Sequence, residues 1–573
     1  MITISTATHS CSAVSRAVKA FRLAPRSFIQ GLRNPPRLGK DEITDSQQFA
    51  AVLGPAPELR IDTHHVVILS YLPLRYTNKV EALFARSLQE RGWKVSIVTN
   101  QSTDLLAREY LGRSLGAQVW RIEDFLDFRN IQAISAFVDE AMAIARTSIA
   151  DFKQVKYKEA ALGLSAIASL TASQPDGTIG NDKKTYGRLR RMLRQSALLL
   201  DAAELLYGAL RPSLVLCQEK GFFGTCETFN VALRLGIDYV QWVSCHEPDS
   251  VMFKRFRREN ARDHPFSISN RTWAQLSATP WDERYRETVV TEFDRGYRSG
   301  DWFKYKKLST DHTFADREEL AHRLGLNPER KTAVIYSHIL NDANLFYGED
   351  LFSGGYEQWL VETVRAAAAN PTVNWVLKLH PANVFRNTRL GYTGQYGELL
   401  ALQKAFGNIP EFLKIIRPDE KMSPLSFFGL TDWGITVRGT VGMELPCFGI
   451  PVLTAGSGRY SNKGFTVDSA TVGEYLERVQ SIHNIDRLTE QQIRLGIRHA
   501  YFAFRGRPAR YDRMFNDIYP GPGDHSNYRD IKLRLGSISE IIAHPQMRDI
   551  TDFLVSAEED FIKPGMLDTE EVS

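Results

Sequence analysis

Short apolar runs alternate with longer amphipathic stretches along most of the chain. The first clear unit begins after His65, where Val66–Ser70 and Lys94–Thr99 read as strands. Between them, Asn78–Arg91 has apolar residues at helical spacing and is followed by Gly92, which predicts the end of a helix. A strand, a helix and a strand in this order predict two parallel strands joined by a right-handed crossover.

The same alternation continues to about residue 264, with a helical insertion. Ile131–Ala172 and Lys183–Leu210 read as long helices, separated by a turn-rich stretch around Pro175-Asp176-Gly177. Further strands are predicted at Ser213–Cys217 and Tyr239–Ser244. This part of the chain therefore predicts one doubly wound α/β domain that carries a helical insertion.

A second alternation begins at Lys331. The predicted strands are Ala333–Ser337, Trp375–Leu379, Lys414–Arg417, Trp433–Val437 and Pro451–Thr454, and the predicted helices are Gln358–Ala369, Gly397–Phe406, Val441–Phe448 and Thr471–Ser481. The predicted fold class is α/β, with two doubly wound Rossmann-like domains that face each other across a cleft.

These elements divide the chain into five predicted parts. They are a basic N-terminal extension (1–60), a first Rossmann-like domain (61–265), a connecting helical region (266–330), a second Rossmann-like domain (331–520), and a C-terminal part (521–573) with one helix over Ile531–Ala543 and an acidic tail. A chain of 573 residues is too long for a single core, which agrees with two large domains.

Composition narrows the functional classes. The chain has 71 basic and 67 acidic residues, and this net charge of +4 is too small to indicate a nucleic-acid-binding protein. The five cysteines are scattered without metal-ligand spacing, which predicts a reducing compartment and no metal site. No apolar run reaches the roughly 18–20 residues that span a bilayer, so we expect a cytoplasmic protein, either soluble or peripheral at the inner face of the cytoplasmic membrane.

Three segments are strongly basic. Residues 1–40 carry seven basic residues and no acid, which fits a disordered tail, a transit peptide or a helix lying on a membrane. The runs Lys183–Arg194 and Lys254–Arg262 fit either solvated helix faces or contacts with a charged membrane or an anionic polysaccharide.

Polar and glycine residues follow three successive strands of the second domain. They are His380-Pro381, Arg438-Gly439-Thr440 and Gly456-Ser457-Gly458-Arg459. The carboxyl ends of parallel strands lie at one edge of a sheet, and ligands of such sheets bind at that edge. The pattern therefore predicts a ligand crevice there, and a nucleotide sugar is the working hypothesis.

The first of these turns offers hydrogen-bond donors. Pro381 favours an extended conformation for His380, which can then donate to a phosphate or ribose oxygen, and Lys378 shares its face of the strand. The alternative is a buried histidine bonded to a carbonyl group.

The other two turns add an anion site. Thr440 stands at a helix start, where it could cap the helix and bind phosphate, while Glu444 lies one turn further on and could bind both ribose hydroxyls. Arg459 and Lys463, on the loop of Gly456 and Gly458, suit a diphosphate or an acidic sugar. A helix acid that favours the dipole and an exposed basic loop are the alternatives.

A general base for an acceptor hydroxyl is expected from the first domain, opposite the nucleotide. Glu219 and His246 follow two of its strands and are the candidates. The chain has no D-x-D motif, so the hypothesis includes no metal and no cofactor, and the diphosphate charge would be met by arginine, lysine and helix ends.

At this point the sequence resembles a known family. Tyr336-Ser337-His338-Ile339-Leu340 and Trp375–Asn383 resemble bacterial capsule polysaccharide biosynthesis proteins, which are similar to two-domain GT-B glycosyltransferases, including sialyl- and Kdo-transferases. His380-Pro381 and Thr440 match the H-P motif and the later Ser/Thr turn of those enzymes, and Glu444 resembles their donor-ribose glutamate. The resemblance covers about Lys331–Tyr519.

The resemblance implies a transferase that moves a sugar from a nucleotide sugar to a polysaccharide or glycolipid acceptor. It adds His338 and Arg438 to the donor-binding residues. Arg438-Gly439-Thr440 stands where many relatives have consecutive serines, so the donor nucleotide stays open. Sugar-nucleotide epimerases of the same fold also have an H-P motif. An epimerase and a non-catalytic polysaccharide-binding or assembly protein are therefore the alternatives.

Overall fold

The computed structural model describes residues 37–58, 64–174, 179–246, 250–299, 313–340, 344–420, 422–511, 514–518 and 530–566. Its strands are β1 His65–Leu69, β2 Lys94–Thr99, β3 Gln118–Arg121, β4 Leu214–Cys217, β5 Asp238–Ser244, β6 Ser250–Phe256, β7 Thr332–Tyr336, β8 Asn374–Lys378, β9 Leu413–Ile416, β10 Trp433–Thr436, β11 Val452–Thr454, β12 Val467–Asp468, β13 Ala509–Arg510, β14 Phe515–Ile518 and β15 Asp530–Leu533. Most of the predicted basic extension, residues 1–36, lies outside the described residues.

The first sheet has the order β13-β6-β5-β4-β1-β2-β3. The strands β1 to β5 are parallel, whereas β6 runs antiparallel to β5 and β13 antiparallel to β6. The strand order reverses between β1 and β4, which makes this the topological switch point of the sheet. The buried apolar side chains of β1 and β4 explain why these short runs form central strands.

The second sheet has the order β12-β11-β10-β7-β8-β9, and all its strands are parallel. Its switch point lies between β7 and β10. The two doubly wound sheets confirm the predicted fold class, with two Rossmann-like domains. Five predicted strands of this domain are present, within one or two residues at each end.

Helices cover the faces of both sheets. They are α1 Lys40–Leu53, α2 Arg75–Glu90, α3 Asp104–Ala107, α4 Arg113–Leu115, α5 Ile131–Thr147, α6 Ile149–Lys153, α7 Leu162–Thr171, α8 Lys183–Leu210, α9 Cys226–Arg234, α10 Asn270–Ala278, α11 Arg284–Ser299, α12 Arg317–Leu324, α13 Gly355–Ala368, α14 Ala382–Leu390, α15 Gly397–Phe406, α16 Pro424–Leu430, α17 Val441–Glu444, α18 Val472–Gln480, α19 Glu490–Tyr501, α20 Ile538–Ala543 and α21 Pro545–Val555.

The helical insertion is more broken than predicted. The stretch predicted as one helix, Ile131–Ala172, forms three helices in the structure. Ser148 is extended and caps the second of them with its side chain, and the positive φ angles of Lys158 (46°) and Glu159 (72°) turn the chain before the third. The predicted helix Lys183–Leu210 is present over its full length.

The C-terminal part of the chain returns to the first sheet. The strand β13 extends the edge of that sheet beside β6, and Tyr511, Phe553 and Phe561 belong to the same buried cluster as the helix α2. The structure has the strand β15 over Asp530–Leu533, where the sequence predicted the start of a helix, because this segment pairs with β14 as a hairpin. The chain leaves the second sheet before residue 509, so the boundary predicted at residue 520 lies inside the part that packs on the first domain.

The basic run Lys254–Arg262 holds this C-terminal part in place. The fully buried Lys254 Nζ lies 3.0 Å from Asp560 Oδ1 and 2.6 Å from Glu559 Oε1, and Arg507 also pairs with Asp560. These cations compensate buried carboxylates, so the hypothesis that this run faces a membrane is wrong for Lys254. None of the helices in the described ranges is both long and apolar enough to cross a bilayer.

Candidate functional site

The carboxyl ends of the two sheets face each other, and a segment of the second domain connects them. This crossing segment, Leu345–Asp350, follows β7. Its residues Leu345, Phe346 and Tyr347 belong to the buried core of the first domain. The Phe346 ring lies 5.1 Å from the ring of Phe222, which follows β4. The cleft predicted between the two domains is therefore bridged by a described segment.

Arg438 holds the crossing segment from the second sheet. Its guanidinium donates to the carbonyl oxygen of Tyr347 and forms an ion pair with Asp350, and the residue is 4% exposed. The neighbouring loop adds a backbone bond from Ser457 N to Glu349 O at 2.9 Å. Arg438, predicted as a donor-binding residue, thus lies in the cleft wall and binds protein groups there.

His338 joins β7 to β10 at the switch point. Its Nε2 lies 3.3 Å from the backbone nitrogens of Val437 and Arg438 and accepts from them, so Nδ1 carries the proton of the neutral ring. The ring stacks on Tyr356 at 4.5 Å. Burial holds the pKa of His338 well below its usual range, and electrostatic interaction with His380, Arg438 and Arg459 lowers it further. His338 is therefore a neutral residue that fixes the shape of the site.

His380 is half-buried at the end of β8. Its Nδ1 accepts from the backbone N–H of Ala382 at 3.1 Å, which leaves Nε2 to carry the proton and to donate. The backbone N–H of His380 donates to Ser337 Oγ at 3.1 Å. This is the tautomer that a phosphate-binding histidine needs.

A buried acid supports the His380 turn. Glu398 accepts from Ser337 Oγ at 3.1 Å and from the Asn383 side-chain amide at 2.7 Å. Burial raises the pKa of Glu398, while these hydrogen bonds oppose the shift. The sequence analysis missed this residue, whose signal would have been an acid inside the apolar stretch of the helix α15.

Lys378 is the last residue of β8, two residues before His380, and is half-buried. Its Nζ lies 4.8 Å from the centre of the Phe427 ring and 3.3 Å from the carbonyl oxygen of Leu379. Burial lowers the pKa of Lys378 to about 8. The ammonium group is thus directed onto an aromatic ring beside the turn.

Thr440 and Glu444 are close together, as their spacing predicted. Thr440 occupies the N-cap position of α17, but its side chain makes no capping bond. Glu444 is 2% exposed, and the hydroxyl groups of Tyr297 and Thr440 lie beside its carboxyl group and lower its pKa. Burial raises the pKa of Glu444, against the opposing effects of these two hydroxyls and of Arg459. Tyr297, in the connecting helix α11, was not predicted.

The loop after β11 is fitted closely onto Arg438. Gly456 has a φ of 151°, and a Cβ atom there would lie 2.7 Å from Glu349 O, while a Cβ atom on Gly458 would lie 2.8 Å from Arg438 Cβ. Glycine is required at both positions by this contact. The half-buried Arg459 follows, with its guanidinium 5.5 Å from the centre of the Phe266 ring.

Lys463 lies away from that contact. Its Nζ donates to Asn270 Oδ1 at 2.7 Å, in the helix α10. Burial lowers the pKa of Lys463, and the charge of Asp560 opposes the shift. The structure therefore places Lys463 beside the connecting region and the C-terminal part.

Several basic side chains lie around His264, where the two domains meet. His264 lies on the first-domain side, with its ring 4.8 Å from the ring of Tyr347. Burial holds the pKa of His264 well below its usual range, and Arg459, Lys220 and Arg438 lower it further. Arg438 and Arg459 act in the same direction on His338. A group of basic side chains is suited to a diphosphate. The sequence analysis missed His264.

Glu219 lies at the end of β4, beside the crossing segment. Its Oε1 accepts from the backbone N–H of Lys220 at 2.8 Å and lies 3.4 Å from the Tyr347 hydroxyl. Burial raises the pKa of Glu219. The residue lines a cavity of about 280 Å³ at the carboxyl ends of β1, β2 and β4. A half-buried carboxyl group of raised pKa is suited to accept a proton from a hydroxyl.

His246, the other candidate base, has a different environment. Its ring lies 5.0 Å from the Phe504 ring, and burial lowers its pKa to about 3, although Glu292 opposes the shift. A histidine with this pKa is neutral and a weak proton acceptor near pH 7. The geometry favours Glu219 for that role.

Comparison with known proteins finds similarity only among solved structures. No protein family and no curated protein matches the chain. The beta Kdo 2,4 transferase KpsC of Thermosulfurimonas dismutans is 16% identical over 58% of this chain and 88% of that chain, with a TM-score of 0.33. The calicheamicin glycosyltransferase CalG4 is 12% identical over 77% and 95% of the two chains, with a TM-score of 0.25.

A third similar structure belongs to another class of enzyme. The UDP-GlcNAc 2-epimerase of Neisseria meningitidis is 11% identical over 76% of this chain and 97% of that chain, with a TM-score of 0.22. Similarity at this level assigns the chain to no family. The description of the site therefore rests on the strands and side chains of this protein.

Proposed function

We propose that the protein is a glycosyltransferase. It transfers a sugar from a nucleotide-sugar donor, held by the second domain, to a hydroxyl group of a capsular or other surface polysaccharide or of a glycolipid, held by the first. The donor site comprises His380, Thr440, Glu444 and Arg459, and Glu219 is the general base.

One observation carries this proposal. The carboxyl ends of two doubly wound sheets meet at the crossing segment, between a carboxyl group of raised pKa in the first domain and an arginine side chain in the second. Glu219 contacts Tyr347 of the crossing segment, and Arg438 binds the same residue from the opposite side. A base and an anion-binding surface that both contact Tyr347 suit the joining of an acceptor hydroxyl to a donor diphosphate.

The reaction follows from these positions. The Glu219 carboxylate accepts the proton of the acceptor hydroxyl. At the same time, the oxygen of that hydroxyl forms a bond to the anomeric carbon of the donor sugar. The bond from that carbon to the phosphate oxygen breaks, and the electron pair stays on the nucleotide. The Nε2–H of His380 and the guanidinium of Arg459 stabilise this developing negative charge. These side chains compensate the negative charge of the leaving nucleotide, and the proposed mechanism includes no metal ion.

Peripheral membrane contact is part of the proposal. Lys183, Lys184, Arg191 and Arg194 are exposed on the helix α8, while the neighbouring Arg190 pairs with Asp139 at 2.6 Å. A row of exposed cations supports contact with an anionic surface, such as the inner face of the cytoplasmic membrane.

The test is donor turnover with purified protein. A panel of CMP-, UDP-, GDP- and dTDP-sugars is incubated with and without surface glycans, in the presence of EDTA, and released nucleotide and products are analysed. We expect nucleotide release that depends on a glycan acceptor. Glu219→Gln should lower the rate by about 10²–10⁴-fold, which is the usual contribution of a general base.

A matched control separates this effect from a change of fold. Glu140→Gln makes the same change at an exposed position of the helix α5 and should leave the rate unchanged. Conversion of the donor without any acceptor would show an epimerase instead. Equal rates for the Glu219 and Glu140 variants would remove Glu219 from the mechanism.

A further inference from the structure

A second feature of the first domain is the cavity beside Glu219. It has a volume of about 280 Å³ and lies where β1, β2 and β4 end, which is the switch point of the first sheet. Small ligands of doubly wound sheets bind at this position. A volume of this size has room for one sugar residue, whereas a nucleotide needs more.

The lining of this cavity has an unusual chemical composition. Two carboxyl groups, from Glu81 and Glu219, share it with the amide groups of Asn100 and Gln218 and with the aromatic ring of Phe222. None of the described residues that line it is a lysine or an arginine. Carboxyl and amide groups beside an aromatic ring are suited to hydroxyl groups and to the apolar face of a sugar ring.

Glu81 has polar neighbours, but none of them is well placed for a hydrogen bond. The residue is fully buried in the helix α2, and its carboxyl oxygens make no hydrogen bond of good geometry with the described residues, although Ser70 and Trp242 lie close enough to lower its pKa. Burial raises the pKa of Glu81 to about 8, against opposing effects of Ser70 and Trp242. Near pH 7 this group is therefore mostly protonated, and its O–H requires an acceptor.

We propose that this cavity binds one uncharged sugar residue, the one that carries the acceptor hydroxyl, and that it excludes acidic sugars. The inference rests on the proposed function, because it assigns this sugar to the acceptor. Glu81 donates a hydrogen bond to an oxygen of the sugar, and Glu219 accepts one from the hydroxyl that reacts. A sugar carboxylate would lie beside the carboxyl group of Glu219 without a compensating cation in the lining.

The test compares sugars that differ only in charge. Saturation-transfer NMR and calorimetry measure binding of methyl β-D-glucoside, methyl β-D-galactoside and methyl α-D-mannoside to the full chain, each beside the methyl glycoside of its uronic acid. We expect at least one neutral glycoside to bind and its uronic acid partner to bind at least about tenfold more weakly. Failure of all three neutral glycosides to bind, or equal binding within every pair, would overturn the inference.

Two variants locate the binding. Glu81→Leu should weaken binding of the neutral glycoside about tenfold, since it removes the hydrogen-bond donor. Glu140→Gln should leave this affinity unchanged. Glu219→Gln removes the negative charge and should reduce the preference for the neutral sugar. Unchanged affinity and preference in both cavity variants would place the sugar elsewhere and contradict the inference.

Nucleotide binding separates this inference from the proposed function. CDP or UDP titrated into the same protein reports on the second domain alone. Nucleotide binding without glycoside binding would overturn the cavity assignment only. Glycoside binding without affinity for any nucleotide would leave the cavity assignment standing and overturn the transfer reaction.

Discussion

Two carboxyl groups line one cavity, but their surroundings differ. Glu219 accepts a hydrogen bond from the Lys220 amide and lies near the Tyr347 hydroxyl, and both contacts favour its ionised form. Glu81 has no hydrogen bond of good geometry within the described residues, although Ser70 and Trp242 lie near it, and burial raises its pKa to about 8. This separation allows one carboxyl group to act as a proton acceptor while its neighbour donates a hydrogen bond.

Glu81 should make the stability of the protein depend on pH. Its pKa is raised on folding from the ordinary 4.5 to about 8, so the native state holds a proton that the unfolded chain releases over this interval. Stability is therefore lost as the pH rises from about 4.5 to 8, by up to roughly 1.4 kcal/mol per pH unit. Glu81→Gln should remove this loss.

Urea unfolding of both proteins between pH 5 and 8 measures this effect. We expect the free energy of unfolding of the unmodified protein to fall, relative to that of Glu81→Gln, as the pH rises. Curves that stay parallel over this interval would mean that Glu81 is ionised in the folded protein.

Single residues show how far the sequence could predict the site. The positions of His380 and Arg459 at one edge of the sheet could be predicted, because parallel strands bring their carboxyl ends to that edge. The position of Arg438 at this edge could also be predicted, but its contact with Asp350 could not. The two residues are 88 positions apart in the sequence and belong to no common motif. Glu81 did have a signal, as an acid on the face of α2 that carries Phe84 and Leu88.

The crossing segment Leu345–Asp350 connects the two domains. Phe346 is 8% exposed, packs in the core of the first domain and fits against Gly221, where a Cβ atom would lie 2.2 Å from its ring. Arg438 and Ser457 hold the same segment from the second domain. The sequence analysis did not predict this contact, because a contact between domains leaves no periodic pattern in the sequence.

Removing the Phe346 ring should therefore weaken both the fold and the domain contact. Phe346→Ala should lower the free energy of unfolding by about 3 kcal/mol, as expected for a large buried side chain. Small-angle X-ray scattering should show a larger radius of gyration. The matched control is Phe314→Ala, since Phe314 is 61% exposed and should change stability by less than about 0.5 kcal/mol. Equal effects of the two changes would show that the segment does not hold the domains together.

In the whole molecule, the chain crosses between the domains more than once. Its C-terminal part leaves the second domain and completes the first sheet, where Lys254, Arg507 and Asp560 form a buried ionic cluster. The alternation of strands and helices predicted the two sheets. It did not predict this return, because β13 is only two residues long and the charged residues of the cluster read as exposed.

This architecture leads to the central claim that the second domain binds a nucleotide beside His380. Calorimetric titration of CMP, CDP and UDP into the unmodified protein, His380→Ala and the control Glu140→Gln tests it most directly. We expect at least one nucleotide to bind the unmodified and control proteins equally. The His380 variant, folded as judged by circular dichroism, should bind it at least about tenfold more weakly, as befits a lost hydrogen bond to a charged group. If no nucleotide binds the unmodified protein, or if His380→Ala binds it equally well, the claim is wrong.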